Sequence, residues 1–214
     1  MSISRIKTWV DDEILTATDL NAEIQQISDN ALATATQAEV NAMTSTTVGL
    51  TPNLNKLILA TQQASTSGAT IDFSSIPAGT RRITIHWVGV STSGTSNIVV
   101  QIGDSGGVET SGYLGSCTSI AGATPATANF TASWGITNGH AAADILHGQT
   151  ILTLENASAF TWTCSSITSL SNATTVNIGS GSKSLSAELT SVRLTTAGGA
   201  ETFDAGVVNI TYER

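Results

Sequence analysis

A mainly β fold is predicted, with a short N-terminal helical segment leading into an antiparallel β-sandwich of jelly-roll type. Composition is the first ground. Only 11% of the 214 residues are charged while 40% are hydrophobic, the opposite balance to that of a disordered chain. Ser and Thr make 60 of the 214 residues, with 19 Gly and only 3 Pro; a Thr-rich chain punctuated by glycine suits pleated strands and tight turns. The second ground is a step near residue 64. Residues 1–63 hold seven acids, three bases and one glycine, Gly49, whereas residues 64–214 hold 18 glycines. The third is periodicity, three-and-four before that step and two after it. The chain therefore divides into a helical segment, 1–63, and a β-domain, 64–214, which is long enough for one core.

The helix is signalled from Thr16. Thr16 and Thr18 are N-cap candidates, and Asp19 stands three residues after Thr16, in capping-box spacing. Leu20, Ile24, Ile27 and Ala31 follow in steps of four, three and four, the seam of a coiled coil. Thr34 and Ala38 continue the register with small side chains. So short an isolated helix is marginal in water, so the seam calls for partner chains. QAEVNAMTSTTVGLTPNLNKLILATQQ then reads as a short helix, a polar turn ending at Pro52 and a second short helix.

From Ala69 the period is two. RRITIHWVGV places Ile83, Ile85 and Trp87 on one face and Thr84, His86 and Val88 on the other. Similar runs are NIVVQI, NFTASW, TILTLE, AFTWTC, TTVNI, SLSAELTSVRLTT and GVVNITYE, separated by turn clusters such as STSGTS and GSGSK. Eight to ten such strands indicate a sandwich. Trp87, Trp134 and Trp162 fall in these runs and are expected in the core or between subunits. Trp9 precedes the helix in a segment too polar for a core and suits a pocket on a partner.

Charge and hydropathy exclude several classes. The net charge is −8, with a pI near 4.6, which argues against a nucleic-acid binder, since that would need a basic face. No run of 18 apolar residues is present for insertion in a membrane. The opening MSISRIKTWVDDE lacks the apolar stretch of a signal peptide, so synthesis in a cytoplasm without general export is expected. Cys117 and Cys164, 47 residues apart with no neighbouring ligand, read as two free thiols near a core.

Catalytic chemistry finds little support. Gly103-Asp104-Ser105-Gly106-Gly107 resembles the sequence around the nucleophile of trypsin-like serine proteases. That chemistry needs a histidine base and an acid that orients it. Here only His86 precedes the serine, by 19 residues and inside a strand, and Val108 replaces the proline usual after the last glycine. The run also makes a good turn, and that reading is preferred. His140, Asp144 and His147 are the best-spaced metal candidates, but a short surface helix or loop with solvated polar residues is the preferred reading. Glycoside hydrolysis requires two carboxylates across a groove. The acids available in the β-domain are Asp72, Asp104, Glu109, Asp144, Glu155, Glu188, Glu201, Asp204 and Glu213, with no β-helix repeat to carry them. No catalytic residue, metal or cofactor is assigned.

Three stretches resemble bacteriophage tail-fibre proteins. WVDDEILTATDLNAEI is similar to the opening of many of them, with Trp9, Leu15, Thr16, Asp19, Leu20 and Asn21 at the recurrent positions. ATQAEVNAMTSTTVGLTPNLNKL is similar to a module of fibre shafts, with Met43 where glycine is common and Ser45 where aspartate is common. TSGATIDFSSIPAGTRRITIHWVGVSTSGTS, QIGDSGGVETSGYLGS and the ending ETFDAGVVNITYE resemble a β-domain recurrent in phage fibres. Their order in one chain is more specific than any of them alone. The resemblance implies a homotrimeric, non-enzymatic virion component on the phage tail or head surface. In it, Trp9, Leu15 and Asp19 attach to other tail or head proteins, and Leu20, Ile24, Ile27 and Ala31 form the trimer interface. Host adsorption through a surface glycan or receptor is a further expectation, with a capsid decoration protein or head fibre and a carbohydrate-binding receptor module as the alternatives.

Overall fold

The computed structural model describes residues 16–18, 21 and 57–214. Contacts divide the chain into two units, Met1–Asn55 and Lys56–Arg214. In the first, Ala17, Thr18 and Asn21 are helical and Thr16 is not. The seam residues Leu20, Ile24, Ile27 and Ala31, and the shaft-like module up to residue 56, lie outside the described residues.

The second unit is a β-sandwich of two antiparallel sheets whose fourteen strands are numbered in chain order. The larger sheet contains β1 (Ile58–Leu59), β2 (Gln63–Ala64), β4 (Arg82–Thr92), β7 (Leu114–Ala121), β8 (Thr124–Phe130), β10 (Leu146–Asn156), β11 (Thr161–Leu170), β12 (Thr175–Ser184) and β14 (Phe203–Glu213). Their order is β1-β14-β4-β10-β11-β12-β7-β8, with β2 also on β14. The smaller sheet contains β3 (Thr70–Phe73), β5 (Ile98–Asp104), β6 (Gly107–Val108), β9 (Trp134–Gly135) and β13 (Ser191–Thr196), in the order β3-β13-β5-β6 with β9 also on β5. Nine and five strands thus stand where an eight-strand jelly roll has two equal sheets.

Alternation places the core as expected along β4, where Ile83, Ile85 and Trp87 are buried. They meet Ile98, Val100, Ile102, Val192 and Leu194 from the smaller sheet in one cluster. Trp134 and Trp162 also lie in that cluster, and Trp134 meets Tyr113 edge-on, with ring centroids 5.2 Å apart.

Several segments depart from the sequence pattern. Residues 57–64, read as the end of a second helix, are extended against β14, where Ala60 N–H donates to the Ile210 carbonyl at 2.9 Å and Asn209 Nδ2 to the Ala60 carbonyl at 3.1 Å. An open strand edge outweighs a modest helical preference. NFTASW is not one strand: β8 ends at Phe130 and residues 131–133 carry the chain from one sheet to the other, so that Trp134 starts β9. LSAELT, residues 185–190, is a loop whose Leu185 and Leu189 reach the core at a spacing of four. β7 and β8 carry no clear apolar alternation and go unread in the sequence.

GSGSK, read as a turn, is the second half of β12 and pairs on both sides. The glycines are there because β9 crosses directly over it. A Cβ at Gly179 would lie 2.6 Å from the Gly135 carbonyl oxygen; one at Gly181 would lie 2.3 Å from the Leu114 oxygen and 2.9 Å from Trp134 Cδ1. We therefore expect Gly181→Ala to destabilise the β-domain by about 1–3 kcal/mol, the usual cost of overpacking, read as a lower midpoint in urea.

Candidate functional site

The residues expected to attach and trimerise the protein lie outside the described ones: Trp9, Leu15, Asp19, Leu20, Ile24, Ile27 and Ala31. The chemical motifs of the β-domain are all described, and the structure gives most of them scaffold partners.

The protease-like run is a hairpin. Asp104 pairs with Gly107 across the β5–β6 turn, leaving Ser105 exposed at its tip. Asp104 itself is only 4% exposed. Its Oδ2 accepts from Ser186 Oγ at 2.7 Å, Ala187 N–H at 3.0 Å and Ser186 N–H at 3.1 Å, and its Oδ1 from Gly106 N–H at 2.8 Å. The Ser186 hydroxyl, then the Gly106 N–H, hold this carboxyl below its ordinary range against the opposing effect of burial. Asp104 thus ties the 185–190 loop to the hairpin. His86 lies on the outer face of the other sheet, 3.4 Å from Thr211 Oγ1 and 3.3 Å from Gln149 Nε2. The two therefore belong to opposite layers and form no nucleophile–base pair.

Tyr113 continues the same scaffold. Its hydroxyl accepts from Ile102 N–H at 2.8 Å and donates toward the Glu109 carbonyl at 3.1 Å. Burial raises its pKa well above the ordinary phenol value. The half-buried Glu109 carboxylate meets buried Lys183 at 3.5 Å.

His140 and Asp144 do meet, Nδ1 to Oδ2 at 3.5 Å, but His147 turns away into β10, where its Nδ1 accepts from Gly89 N–H at 3.3 Å. His140 Nε2 lies 3.0 Å from Thr92 Oγ1. Burial lowers the His140 pKa, opposed by the charges of Asp144, Glu201 and Asp204. No group of three or more metal-ligating side chains occurs among the described residues. Other acids hold backbone or pair with bases: Asp72 with Arg193 at 2.7 and 2.8 Å, Glu201 with the N–H groups of Thr95 and Ser96, Glu213 with Arg82 at 3.8 Å. Cys117 and Cys164 are buried free thiols; burial pushes Cys117 up to about 11 and Cys164 further still, which leaves both unreactive.

What remains is a surface. On the outer face of β10, β11, β12, β7 and β8, Leu114, Ile167 and Ile178 are 70%, 62% and 48% exposed, with Val176 and Ile120 beside them. Ile167 stands directly opposite Ile178, and Val176 opposite Ile120. Serines and threonines fill the spaces, among them Thr118 and Thr127, whose hydroxyl oxygens are 2.9 Å apart. Strands β7, β8, β11 and β12 carry one charged residue in all, Lys183, and it points inward. The parity of β12 is inverted relative to ordinary strands: Asn177, Gly179 and Lys183 face the core while Val176 and Ile178 face out. In the sequence that inversion is invisible, because Val176 and Ile178 look like core residues.

Two open hollows, about 480 and 340 Å³, flank the end of β8 and share Asn129, Phe130 and Thr131 as a wall. No charged residue lines either of them. Comparison with protein-family models, with curated proteins and with solved structures found no match.

Two outcomes test these assignments. Asp104→Asn is expected to cost about 1.5–3 kcal/mol, as for hydrogen bonds to a charged group, while Ser105→Ala stays within about 0.5 kcal/mol; urea denaturation reads both. Acidification provides the other test. His140 has a folded pKa below its ordinary 6.5, so the unfolded chain binds its proton first as pH falls. Stability should be full above pH 6.5, decline as pH drops from there to the folded pKa, and the decline should vanish in His140→Gln. Denaturation midpoints measured from pH 7.5 to 4.5 check it.

Proposed function

We propose that this protein is a non-enzymatic structural component of a bacteriophage particle: a homotrimeric tail fibre or appendage attached through its N-terminus and contributing to host adsorption. The observation that carries the reading is the order of the fibre-like motifs: the Trp9–Asn21 attachment segment, the 35–57 shaft-like module and the β-domain stretches that follow. In this reading Trp9, Leu15 and Asp19 contact other tail or head proteins. Leu20, Ile24, Ile27 and Ala31 form the seam of a three-chain coil, an arrangement that removes an exposed apolar stripe from water. The role of Asp104 and Tyr113 as scaffold supports a structural rather than catalytic use of the GDSGG run. The chain would be made in the bacterial cytoplasm and end on the virion, with no cofactor, nucleic acid or membrane insertion.

A capsid decoration protein or head fibre differs only in where the N-terminus docks, and the position of its density on the particle separates the two. A carbohydrate-binding receptor module is favoured by one observation, the uncharged hollows on either side of Asn129–Thr131, whose amides, hydroxyls and Phe130 ring suit a neutral sugar.

Light scattering after size exclusion should give the full-length chain a mass near three times 21.9 kDa. A monomer at micromolar concentration would count heavily against the fibre reading. Deleting residues 1–15 should abolish incorporation into particles without altering the β-domain, as followed by particle purification and circular dichroism. A glycan array probed with the full chain tests the receptor reading, and binding lost in Asn129→Ala would locate it.

A further inference from the structure

We infer that the outer face of β10, β11, β12, β7 and β8 is where the β-domains of neighbouring copies of this chain meet, turned toward the symmetry axis of the assembly. The inference rests on the trimeric reading above and adds a location to it.

Three observations carry it. The first is the inverted parity of β12. Its aliphatic residues, Val176 and Ile178, face outward although a folded sheet gains by burying them, and Ile167, Ile120 and Leu114 join them from β11 and β7. Such residues gain their burial only when a second surface covers them. The second is charge. In a symmetric assembly each residue near the axis meets its own copies, so a charged side chain there meets its like. This chain has a net charge of −8, yet apart from Glu155, exposed at the bulge that ends β10, the face presents only Ile, Val, Leu, Ser, Thr, Gln, Asn, His and Pro side chains. Across β11, β12, β7 and β8 a cationic or anionic partner would find no charge to recognise, whereas an identical copy meets them without repulsion. The third is size. Five strands spaced about 4.8 Å apart and averaging about 30 Å in length span about 700 Å², near the roughly 800 Å² that each partner contributes to a standard stable interface.

Proximity on this face can be read independently of whatever holds the N-terminal segments. Ser180 is exposed at the centre of the face, between Ser165 and Ser116, and both native cysteines are buried. The full-length Ser180→Cys variant is treated with a short bismaleimide. The control is full-length Ser158→Cys, in the exposed turn after β10. Ser180→Cys should join chains about tenfold faster or more, since association holds its thiols at high effective concentration, and adding Ile178→Lys should return the rate to that of the control. Thr118→Cys, on the neighbouring strand, should behave as Ser180→Cys does. A trimeric mass with no faster cross-linking at either position would overturn the inference and leave the fibre reading standing. A monomeric mass with no cross-linking would overturn both.

Discussion

The close approach of β9 to β12 governs much of the sandwich. Trp134 is buried and its indole lies against Gly115 and Gly181, while the Gly135 carbonyl lies against Gly179. No side chain fits beneath that crossing, so Gly179 and Gly181 in β12 and Gly115 in β7 stand there. Where β12 passes beneath it, bulk is possible only on the outer face of the strand. The exposed Val176 and Ile178 are thus coupled to the position of a tryptophan on the opposite side of their own sheet. Packing inside the domain and stickiness outside it are two results of one geometric constraint.

The same region explains why chemistry suggested by the sequence comes to nothing. Gly103–Gly107 contains an aspartate, a serine and three glycines in an order that suggests a nucleophile, but the folded chain uses the aspartate. A carboxylate with four donors around it anchors a loop, and its serine neighbour projects from a two-residue turn. Among the described residues most other acids serve similarly, holding N–H groups or single bases. An acidic protein with few lysines and arginines uses its charges for local ties and leaves a broad area of sheet without any. Charge placement, more than apolar content, distinguishes that face from the rest of the surface, since exposed aliphatic atoms are common on all proteins.

The β class, the alternation along β4 and the buried tryptophans were legible in the sequence because each rests on local rules: side-chain period and the cost of exposing large rings. GSGSK was misread for the opposite reason. Glycine and serine usually mark turns, and only the crossing of β9 above them makes an extended glycine strand favourable. Residues 57–64 were misread because the edge of β14 that captures them comes from the far end of the chain. The candidate face went unseen because Val176, Ile178 and Ile120 look like ordinary core positions until the strand's other parity is seen to be filled.

By itself the sequence determined the mainly β class and the resemblance that motivates a virion role, since both are written in short-range patterns. Only the tertiary structure decided which parity of each strand is buried, which acids become structural ties and where the uncharged face lies. Those depend on contacts between residues tens of positions apart, such as Trp134 with Gly181 and Asp104 with Ser186. A side chain's direction in a strand follows from its neighbours across the sheet and across the core, and no local pattern contains them.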